Sequence, residues 1–330
     1  MPKKIIAQKD KNLKARIIKH TCLEYHNEAE YSDRPPHVRA ASSLAPFGEE
    51  LAIIQDDAQF LALVKPETSE VTSIPLPASA SGYRVFDDKK SKKEKIDLEA
   101  CVAVPGTNNR FLVAFGSGSK ESREWIMTVD WRKEGDKPEI ELHHADSLFN
   151  YMREQKEFCG AGLNIEGAIF PDDDTLRLYQ RGNKSKKKLP SIDATADLDW
   201  SDVLYYLDHE NEKPPELRNI VQYDLGKANG AQLNFSDAEK VGEFVLYSAS
   251  AESGTSGKNE GSALGIIHGE KVRWCELEDE NGEIFIGKIE GLSVDPKNPK
   301  RIWFVIDDDD AEKPSDMFEA ELEGNWYETP

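Results

Sequence analysis

The amino-acid sequence predicts an all-β protein, a β-propeller of five four-stranded blades, from two observations. A Glu followed by a small residue and an apolar run occurs three times, in D97-L-E-A-C-V-A-V, N164-I-E-G-A-I-F and K288-I-E-G-L-S-V. A turn and a second, strongly apolar strand follow each copy, in R110-F-L-V-A-F-G, T175-L-R-L-Y-Q and R301-I-W-F-V-I. Such self-similarity along a chain indicates an architecture of repeated structural units.

Two further stretches fit the same frame without the Glu. They begin at Arg39 and Asn234, and they place Ala41 and Ser236 at the position of the Glu. Further strand patterns closed by turns follow the pairs, for example W125-I-M-T-V-D-W. Five units of about four antiparallel strands suit a propeller, whose radial sheets leave only short protected edges. A sixth, degenerate blade is the alternative.

The segments outside this frame complete a single propeller domain over residues 1–330. Within the N-terminal segment 1–30, the stretch K14-A-R-I-I-K-H-T-C-L-E-Y can supply the outer strand of the last blade and close the ring. D146-S-L-F-N-Y-M-R-E-Q-K-E-F has an N-cap candidate and helical spacing of apolar residues, so it predicts a short helix between blades 2 and 3. D199-W-S-D-V-L-Y-Y-L-D predicts a second helix, within blade 3.

Composition limits the partners and the compartment. The chain has 330 residues with 42 Lys and Arg against 62 Asp and Glu, and the net charge of −20 argues against nucleic acid or an acidic membrane as a partner. No apolar run is long enough for a signal peptide core or a transmembrane helix, so a cytoplasmic monomer is expected. The four widely spaced cysteines predict reduced, buried thiols.

The repeated Glu residues are the main functional candidates. In a propeller the first strand of each blade lines the channel, and its start lies at the same face as the end of the second strand. Polar residues from several blades therefore converge on one channel mouth. We assign these candidates as catalytic Glu99, Glu166, Glu290 and Arg181, substrate-binding Arg39, Ser117, Arg123 and Asn183, and metal-binding Asp56, Glu252, Asp307 and Asp309.

The chemistry of these residue types leaves several alternatives open. An oxygen-rich ring suits Ca²⁺, which takes about six to eight oxygen ligands. Crowded carboxylates can also supply a general acid and a base, because like charges push their pKa values apart. The Glu residues can equally hold the blades together by accepting backbone hydrogen bonds, and the arginines can serve as their ion-pair partners or bind an anion.

A set of motifs carries a family resemblance from about Pro36 to Leu322. The set comprises the E-G-A and E-G-L openings, G116-S-G-S-K-E-S-R, L178-Y-Q-R-G-N, F235-S-D-A with S248-A-S-A-E, and I306-D-D-D-D. Together they resemble uncharacterised bacterial propeller proteins related to the phytase-like, or "esterase-like", propeller group. The resemblance implies a propeller whose channel mouth holds calcium or a phosphoester. The acid-phosphatase motif R-H-G-x-R-x-P is absent from the sequence.

Two functions follow as expectations. The first is a metal-assisted hydrolase of a small anionic ester or phosphoester, in which ring carboxylates hold Ca²⁺ and an Arg holds the anion. The second is a non-catalytic propeller scaffold that binds a ligand or a protein. The sequence contains no G-x-S-x-G, H-E-x-x-H or P-loop motif that would fix another chemistry.

Overall fold

The computed structural model shows five four-stranded antiparallel blades arranged as a propeller, which confirms the predicted fold. It describes residues 2–133, 137–182, 190–209, 213–253, 258–307 and 310–328. The first strand of each blade contacts the first strands of both neighbouring blades, so these five inner strands surround the central channel. No helix within these ranges is long and apolar enough to cross a lipid bilayer.

The strands follow one another blade by blade. The strands before the first blade are β1 (Lys3–Ile6), β2 (Gln8–Lys9) and β3 (Leu13–Cys22). Blade 1 contains β4 (Ala41–Phe47), β5 (Glu50–Gln55), β6 (Phe60–Lys65) and β7 (Glu70–Pro75). Blade 2 contains β8 (Leu98–Ala103), β9 (Phe111–Gly116), β10 (Trp125–Asp130) and β11 (Glu139–His144).

The remaining blades have the same plan. Blade 3 contains β12 (Ile165–Asp172), β13 (Thr175–Gln180), β14 (Asp193–Asp199) and β15 (Arg218–Asp224). After the short β16 (Lys227–Ala228), blade 4 contains β17 (Ala231–Val241), β18 (Phe244–Ser253), β19 (Lys258–His268) and β20 (Lys271–Glu278). Blade 5 contains β21 (Ile289–Val294), β22 (Arg301–Ile306), β23 (Asp316–Gly324) and, as its outer strand, β3.

The three N-terminal strands run along the outer edges of three blades. β3 pairs antiparallel with β23, from Leu13 opposite Gly324 to Cys22 opposite Asp316. β1 lies parallel to β15 and extends blade 3, and β2 lies parallel to β20 and extends blade 4. β3 also pairs with the end of β20, which joins blades 4 and 5. This segment therefore covers sheet edges that would otherwise be unpaired.

Hydrophobic clusters fill the spaces between neighbouring blades in the described part of the chain. In β22, Phe304 packs toward blade 4 while the adjacent Trp303 and Val305 pack toward blade 1. Successive residues of a strand point to opposite faces, so a blade that is buried on both faces needs a continuous apolar strand. This requirement explains the strongly apolar second strand of each sequence repeat.

Both predicted helices are present, and they lie in the connections between strands β11 and β12 and between strands β14 and β15. The first prediction is realised as two pieces, α1 (Asp146–Glu154) and α2 (Lys156–Cys159), and α1 buries Leu148, Phe149 and Met152 between blades 2 and 3. The second is α3 (Trp200–Asp208), which the Asp199 side chain caps through the backbone N–H groups of Ser201 and Asp202. Short 3₁₀ turns cover Ser91–Lys93 and Glu121–Arg123.

Each inner strand contains a β-bulge at a corresponding position. The bulges show which residues of the five repeats are equivalent, and they correct the equivalence expected from the sequence. The extra, bulged residues are Ser42, Glu99, Glu166, Ser236 and Glu290. The position that corresponds to Glu99 in blade 1 is thus Ser42, and the prediction of Ala41 is wrong by one residue. Bulges re-aim a side chain and are common beside functional sites.

The cysteines are free, and one of them differs from the prediction. Cys101, Cys159 and Cys275 are buried, as expected, whereas Cys22 is exposed at the end of β3. The expectation of a buried Cys22 is wrong because β3 is the outermost strand of its blade and packs on one side only.

Candidate functional site

The bulged positions and the ends of the second strands lie at the same end of the propeller. Ile165 pairs with Gln180, and Ile289 pairs with Ile306. The bulged residue after each of these inner-strand positions lies near the end of the second strand, as the contact between Glu166 and Arg181 shows. Charged side chains from all five blades gather here, and we define the channel-mouth cluster as Asp56, Lys95, Asp97, Glu99, Arg123, Glu166, Arg181, Glu252, Lys288 and Glu290.

Arg181 links blades 3 and 4 through two carboxylates. Its Nη1 lies 3.3 Å from Glu166 Oε1, and its Nη2 lies 2.6 Å from Glu252 Oε1. Asn164, two residues before Glu166 on the same side of the strand, donates to the same Glu166 oxygen. Burial raises the pKa of Glu166 to about 7, although the Arg181 charge opposes this rise. Glu166 is therefore held in place by two donors and titrates near neutral pH.

Lys288 forms an ion pair with Glu290 in blade 5. Its Nζ contacts Glu290 Oε1 and lies 3.9 Å from Glu252 Oε1. Burial of Lys288 favours its neutral form, but the neighbouring Glu290 charge outweighs this effect and the pKa of Lys288 is raised. The second oxygen of Glu290, Oε2, is buried and accepts no hydrogen bond from a described residue. This oxygen is thus an acceptor whose hydrogen-bonding capacity is not used by the described residues.

Asp97 organises the blade 2 side of the mouth. It has a left-handed backbone with φ of 59°, which Asp tolerates better than most residues. Ser117 Oγ donates to Asp97 Oδ2 at 2.5 Å, and Arg123 Nη1 lies 2.7 Å from the same oxygen. Lys95 Nζ lies 3.1 Å from Asp97 Oδ1 and 2.5 Å from Asp56 Oδ2. Burial raises the pKa of Asp56 to about 6, against the effect of Lys95.

Glu99 has a different environment from the other carboxylates of the cluster. It is half-buried on the bulge of β8, and one of its oxygens lies within 4.8 Å of oxygens of Asp56 and Asp97. No Lys or Arg of the described residues forms an ion pair with it. Burial, followed by the charges of Asp97, Glu166, Asp56 and Glu290, raises its pKa well above the usual range. The surroundings of Glu99 therefore favour its protonated form.

The charges of the cluster do not balance. Its six carboxylates face four cations, so the net charge is −2 when every group is ionised, and each of the four cations is within 4.0 Å of at least one carboxylate. Like charges at short range favour protonation of the carboxylate that lacks a cation. The excess of carboxylates therefore adds to burial, which is the larger cause of the raised pKa of Glu99.

The other predicted substrate-binding and metal-binding residues differ in their partners and positions. Arg39 is buried and pairs with Asp57 at 2.7 Å and Asp87 at 2.5 Å, while Ser117 and Arg123 both hold Asp97. Asp307 is half-buried directly after β22. Asn183 and Asp309 fall outside the described residues.

The structure divides the predicted metal ligands between two groups. Asp56 joins Asp97 and Glu99, which the sequence assigned to other roles, whereas Glu252 pairs with Arg181 and Lys288. The ammonium group of Lys95 already lies against two of the three carboxylates in the first group. A cation in that group would therefore compete with Lys95.

A groove of 1120 Å³ lies at the opposite end of the propeller. It is formed by the turns after the inner strands of blades 1, 2 and 5, and its lining includes Phe47, Trp131 and Trp303. Trp303 Nε1 is buried and donates no hydrogen bond to a described residue. The lining of this groove combines these aromatic residues with charged ones, among them Lys297 and Glu67, which form an ion pair at 3.4 Å.

Comparison with protein-family models gives a match to the family of unknown function DUF6929 over residues 37–322. The chain belongs to this family. The match spans all five blades of this DUF6929 member, including the channel-mouth cluster. A search of curated proteins gives no match.

The chain is similar to several solved structures at low sequence identity, and one of them, with a TM-score of 0.53, shares the fold. A GH43 β-1,3-galactosidase is 8% identical with a TM-score of 0.53, and the match covers 90% of this chain and 58% of that protein. An exo-1,5-α-L-arabinanase from a bovine ruminal metagenomic library is 11% identical with a TM-score of 0.42, covering 88% and 97% of the two chains. Hydrazine synthase of Kuenenia stuttgartiensis is 13% identical with a TM-score of 0.40, covering 86% and 81%. None of these three is a phytase-like protein, so that finer relationship stays a prediction.

Sequence reasoning missed the two lysines of the site in this DUF6929 member. A usable signal is present, because each repeated Glu has a polar residue two positions earlier, namely Asp97, Asn164 and Lys288. Side chains two apart in a strand lie on the same face, and all three of these residues contact or neighbour their Glu. Lys95 precedes its strand, so no such periodicity marks it.

Proposed function

We propose that the channel mouth is the active site of a hydrolase that acts on an uncharged glycoside. Glu99 is the proton donor and Glu290 is the base. The observation that carries the proposal is the environment of Glu99, a half-buried carboxyl group with no ion-pair partner among the described residues, whose burial and neighbouring carboxylates raise its pKa, near Glu166 and Glu290, which are held by cations. A pair of carboxyl groups in contrasting protonation states is what glycoside hydrolysis requires.

The reaction divides between the two residues. Glu99 donates its proton to the leaving oxygen as the glycosidic C–O bond breaks. Glu290 Oε2 accepts a proton from the water that forms the new bond to the anomeric carbon. Lys288 Nζ forms an ion pair with the other oxygen of the same carboxylate, Glu290 Oε1. Glu166 is fixed by Arg181 and Asn164, and in this proposal it supports the site from within the channel wall.

The charge of the mouth favours a neutral substrate over a phosphoester. The cations of the channel-mouth cluster are already paired with carboxylates, and the cluster carries a net negative charge when ionised. An anionic substrate would be repelled unless a metal ion accompanied it. The name of the GH43 β-1,3-galactosidase, which shares the fold, makes glycosides the first class to assay.

The test uses two leaving groups. Against aryl glycosides with a poor leaving group, Glu99→Gln should lose about 100-fold or more in kcat, the usual contribution of a general acid. With a dinitrophenyl leaving group, which departs without protonation, the same variant should lose far less, while Glu290→Gln should lose activity on both. Glu280→Gln, an exposed position, is the control. A folded Glu99→Gln protein with equal losses on both substrates, or a wild-type protein that cleaves no glycoside, would reject the proposal.

Calcium at Asp56, Asp97 and Glu99 is the competing use of the same carboxylates. It is supported by the approach of three carboxylate oxygens to within 4.8 Å of one another. Calcium would require an ionised Glu99 and displacement of Lys95, so it excludes Glu99 as proton donor. The melting temperature with chelator and then with millimolar Ca²⁺ separates the two, because a ligand of the native state raises it. A calcium-specific rise that is lost in Asp97→Asn would replace the acid–base proposal with a calcium site.

The groove at the opposite end supports the alternative of a binding scaffold. Its volume of 1120 Å³ and its tryptophan lining suit an extended ligand with apolar faces. Titration of tryptophan fluorescence with oligosaccharides, compared between wild type and Trp131→Ala, tests it. Binding that is lost in Trp131→Ala, in a protein without hydrolytic activity, would favour the scaffold.

A further inference from the structure

The outer edge of blade 5 brings together three metal-ligating side chains of different types. His20 and Cys22 are two residues apart on β3 and therefore share a face of the strand. Asp316 is the cross-strand partner of Cys22 on β23. One ligand atom from each of the three residues lies within 4.8 Å of the other two. A tetrahedral zinc site with bonds of about 2.0–2.3 Å places its ligand atoms about 3.5 Å apart, so only small side-chain movements are needed.

Two contacts orient the histidine. Its Nε2 lies 2.8 Å from Asp316 Oδ1, and its ring stacks on Phe318 with centroids 4.7 Å apart and planes 17° apart. Phe318 is the cross-strand partner of His20, so the stack and the ligand pair are set by the same strand register. Ligands held on rigid, paired strands lose little freedom when they bind a metal.

The donor set selects the class of metal. Thiolate sulfur and imidazole nitrogen suit Zn²⁺ and similar transition-metal ions, whereas Ca²⁺ and Mg²⁺ prefer oxygen ligands. A thiolate, a carboxylate and a neutral imidazole carry two negative charges, which balance a divalent cation. We infer that His20, Cys22 and Asp316 form a zinc-type metal site on the rim of blade 5.

The exposure of the site leaves room for a fourth ligand. The His20 side chain is 44% exposed, and Cys22 is also exposed. Three protein ligands with one open position are the arrangement in which zinc keeps a water molecule or an external ligand. The site is on the outer strand pair of its blade, whereas the channel-mouth cluster lies around the inner strands. The inference is therefore independent of the proposed hydrolase.

Cobalt provides a direct readout of the thiolate ligand. Co²⁺ added to the reduced protein should produce the near-ultraviolet absorption of a sulfur-to-cobalt transition with one equivalent bound, and Zn²⁺ should abolish it. Cys22→Ser should remove the band and weaken Zn²⁺ binding, measured by calorimetry, by more than about tenfold, the lower range for loss of even a supporting group. His209→Ala removes an exposed histidine elsewhere and should leave both unchanged.

A second variant distinguishes the loss of a zinc ligand from misfolding. Asp316→Asn keeps the size of the side chain and should also weaken Zn²⁺ binding, whereas Phe318→Leu should weaken it less, because it alters only the orientation of His20. Absence of zinc binding in the wild-type protein, or an affinity unchanged in Cys22→Ser and Asp316→Asn, would overturn the inference. Zinc binding that instead falls in His209→Ala would identify adventitious surface coordination and would overturn it equally.

Discussion

Arg181 forms an ion pair with Glu252 at 2.6 Å, across the boundary between blades 3 and 4. The same guanidinium also holds Glu166, so one side chain neutralises a carboxylate of its own blade and one of the next. Both Arg181 and Glu166 are almost fully buried. The electrostatics of the channel mouth and the contact between these blades therefore depend on the same residue.

Replacement of Arg181 should destabilise the protein. Arg181→Met leaves Glu166 buried without its cation, and breaking a buried pair in this way costs about 3–5 kcal/mol. Urea unfolding followed by circular dichroism measures the loss. The double variant Arg181→Met, Glu166→Gln should recover part of it, because no uncompensated charge remains. Equal stability of Arg181→Met and wild type would show that Glu166 accepts protonation without penalty.

Stability should fall as the pH rises from about 4 toward 7 because of Asp193, and this contribution should level off above the folded pKa. Burial raises the pKa of Asp193 to about 7 in the folded state, although its carboxylate accepts hydrogen bonds from the backbone N–H groups of Phe235 and Gly182. A raised folded pKa means that the contribution is fully present below the unfolded pKa and is lost as pH approaches 7. The slope for this group is at most about 1.4 kcal/mol per pH unit.

Asp193→Asn is the matched variant for this pH dependence. Asn keeps a carbonyl oxygen that can accept from the same backbone groups, but it does not titrate. The free energy of unfolding of both proteins is measured at intervals from about pH 5 to about pH 8, a range that includes the folded pKa of Asp193. The free energy of the variant should depend less steeply on pH than that of wild type. Parallel curves for the two proteins would assign the slope to other buried carboxyl groups.

Asp237 should be a major stabilising residue without a part in catalysis. Its Oδ2 accepts from Leu292 N at 3.0 Å and from Ser43 Oγ at 3.2 Å, so it connects the inner strands of blades 4, 5 and 1. Asp237→Ala leaves buried donors unpaired, at about 1–3 kcal/mol for each. Asp237→Asn, which keeps one acceptor oxygen, should lose less in the same unfolding assay. A larger loss for Asn than for Ala would contradict this role.

The glycine after Glu290 should tolerate no side chain. A Cβ on Gly291 would lie 2.6 Å from Ser43 Cα and 2.7 Å from Leu44 N, both backbone atoms of the neighbouring inner strand. Gly291→Ala should therefore reduce stability by about 1–3 kcal/mol, as overpacking does. Gly167, the corresponding residue of blade 3, has its nearest neighbour at 3.2 Å, and Gly167→Ala should have a smaller effect. The ratio of the two losses, obtained from thermal unfolding, checks the geometry.

The close packing of the inner strands accounts for part of what the sequence could predict about the fold. The repeated E-G motif predicted the inner strands because close packing around the channel requires a small residue after each Glu. The position of Ser42 could not be predicted by counting, since the bulge inserts a residue that only strand pairing reveals. Strands β1 and β2 were missed because they are short and largely polar, and they form only by pairing with distant edges.

The charged partners in the site were harder to predict than its carboxylates. Glu99, Glu166 and Glu290 occur at matching places in a repeat, so their convergence follows from symmetry. Lys95 belongs to no repeat, and its contacts with Asp56 and Asp97 depend on how the segment before β8 returns to the channel. The raised pKa of Glu99 depends on burial and on the surrounding carboxylates, so it could not be predicted from the order of residues alone.

The pairing of β3 with β23 has a consequence for how the protein is made. β3 leaves the ribosome before any blade exists, while β23 is synthesised after four blades are complete in sequence. During translation β3 therefore lacks its final partner strand, and the backbone N–H and C=O groups that will pair with β23 remain unpaired. Strands that are far apart in sequence pair slowly, and until they pair their exposed edges can associate with other chains. A nascent chain arrested before Asp316 should bind holdase chaperones, and release of the finished chain should end that dependence.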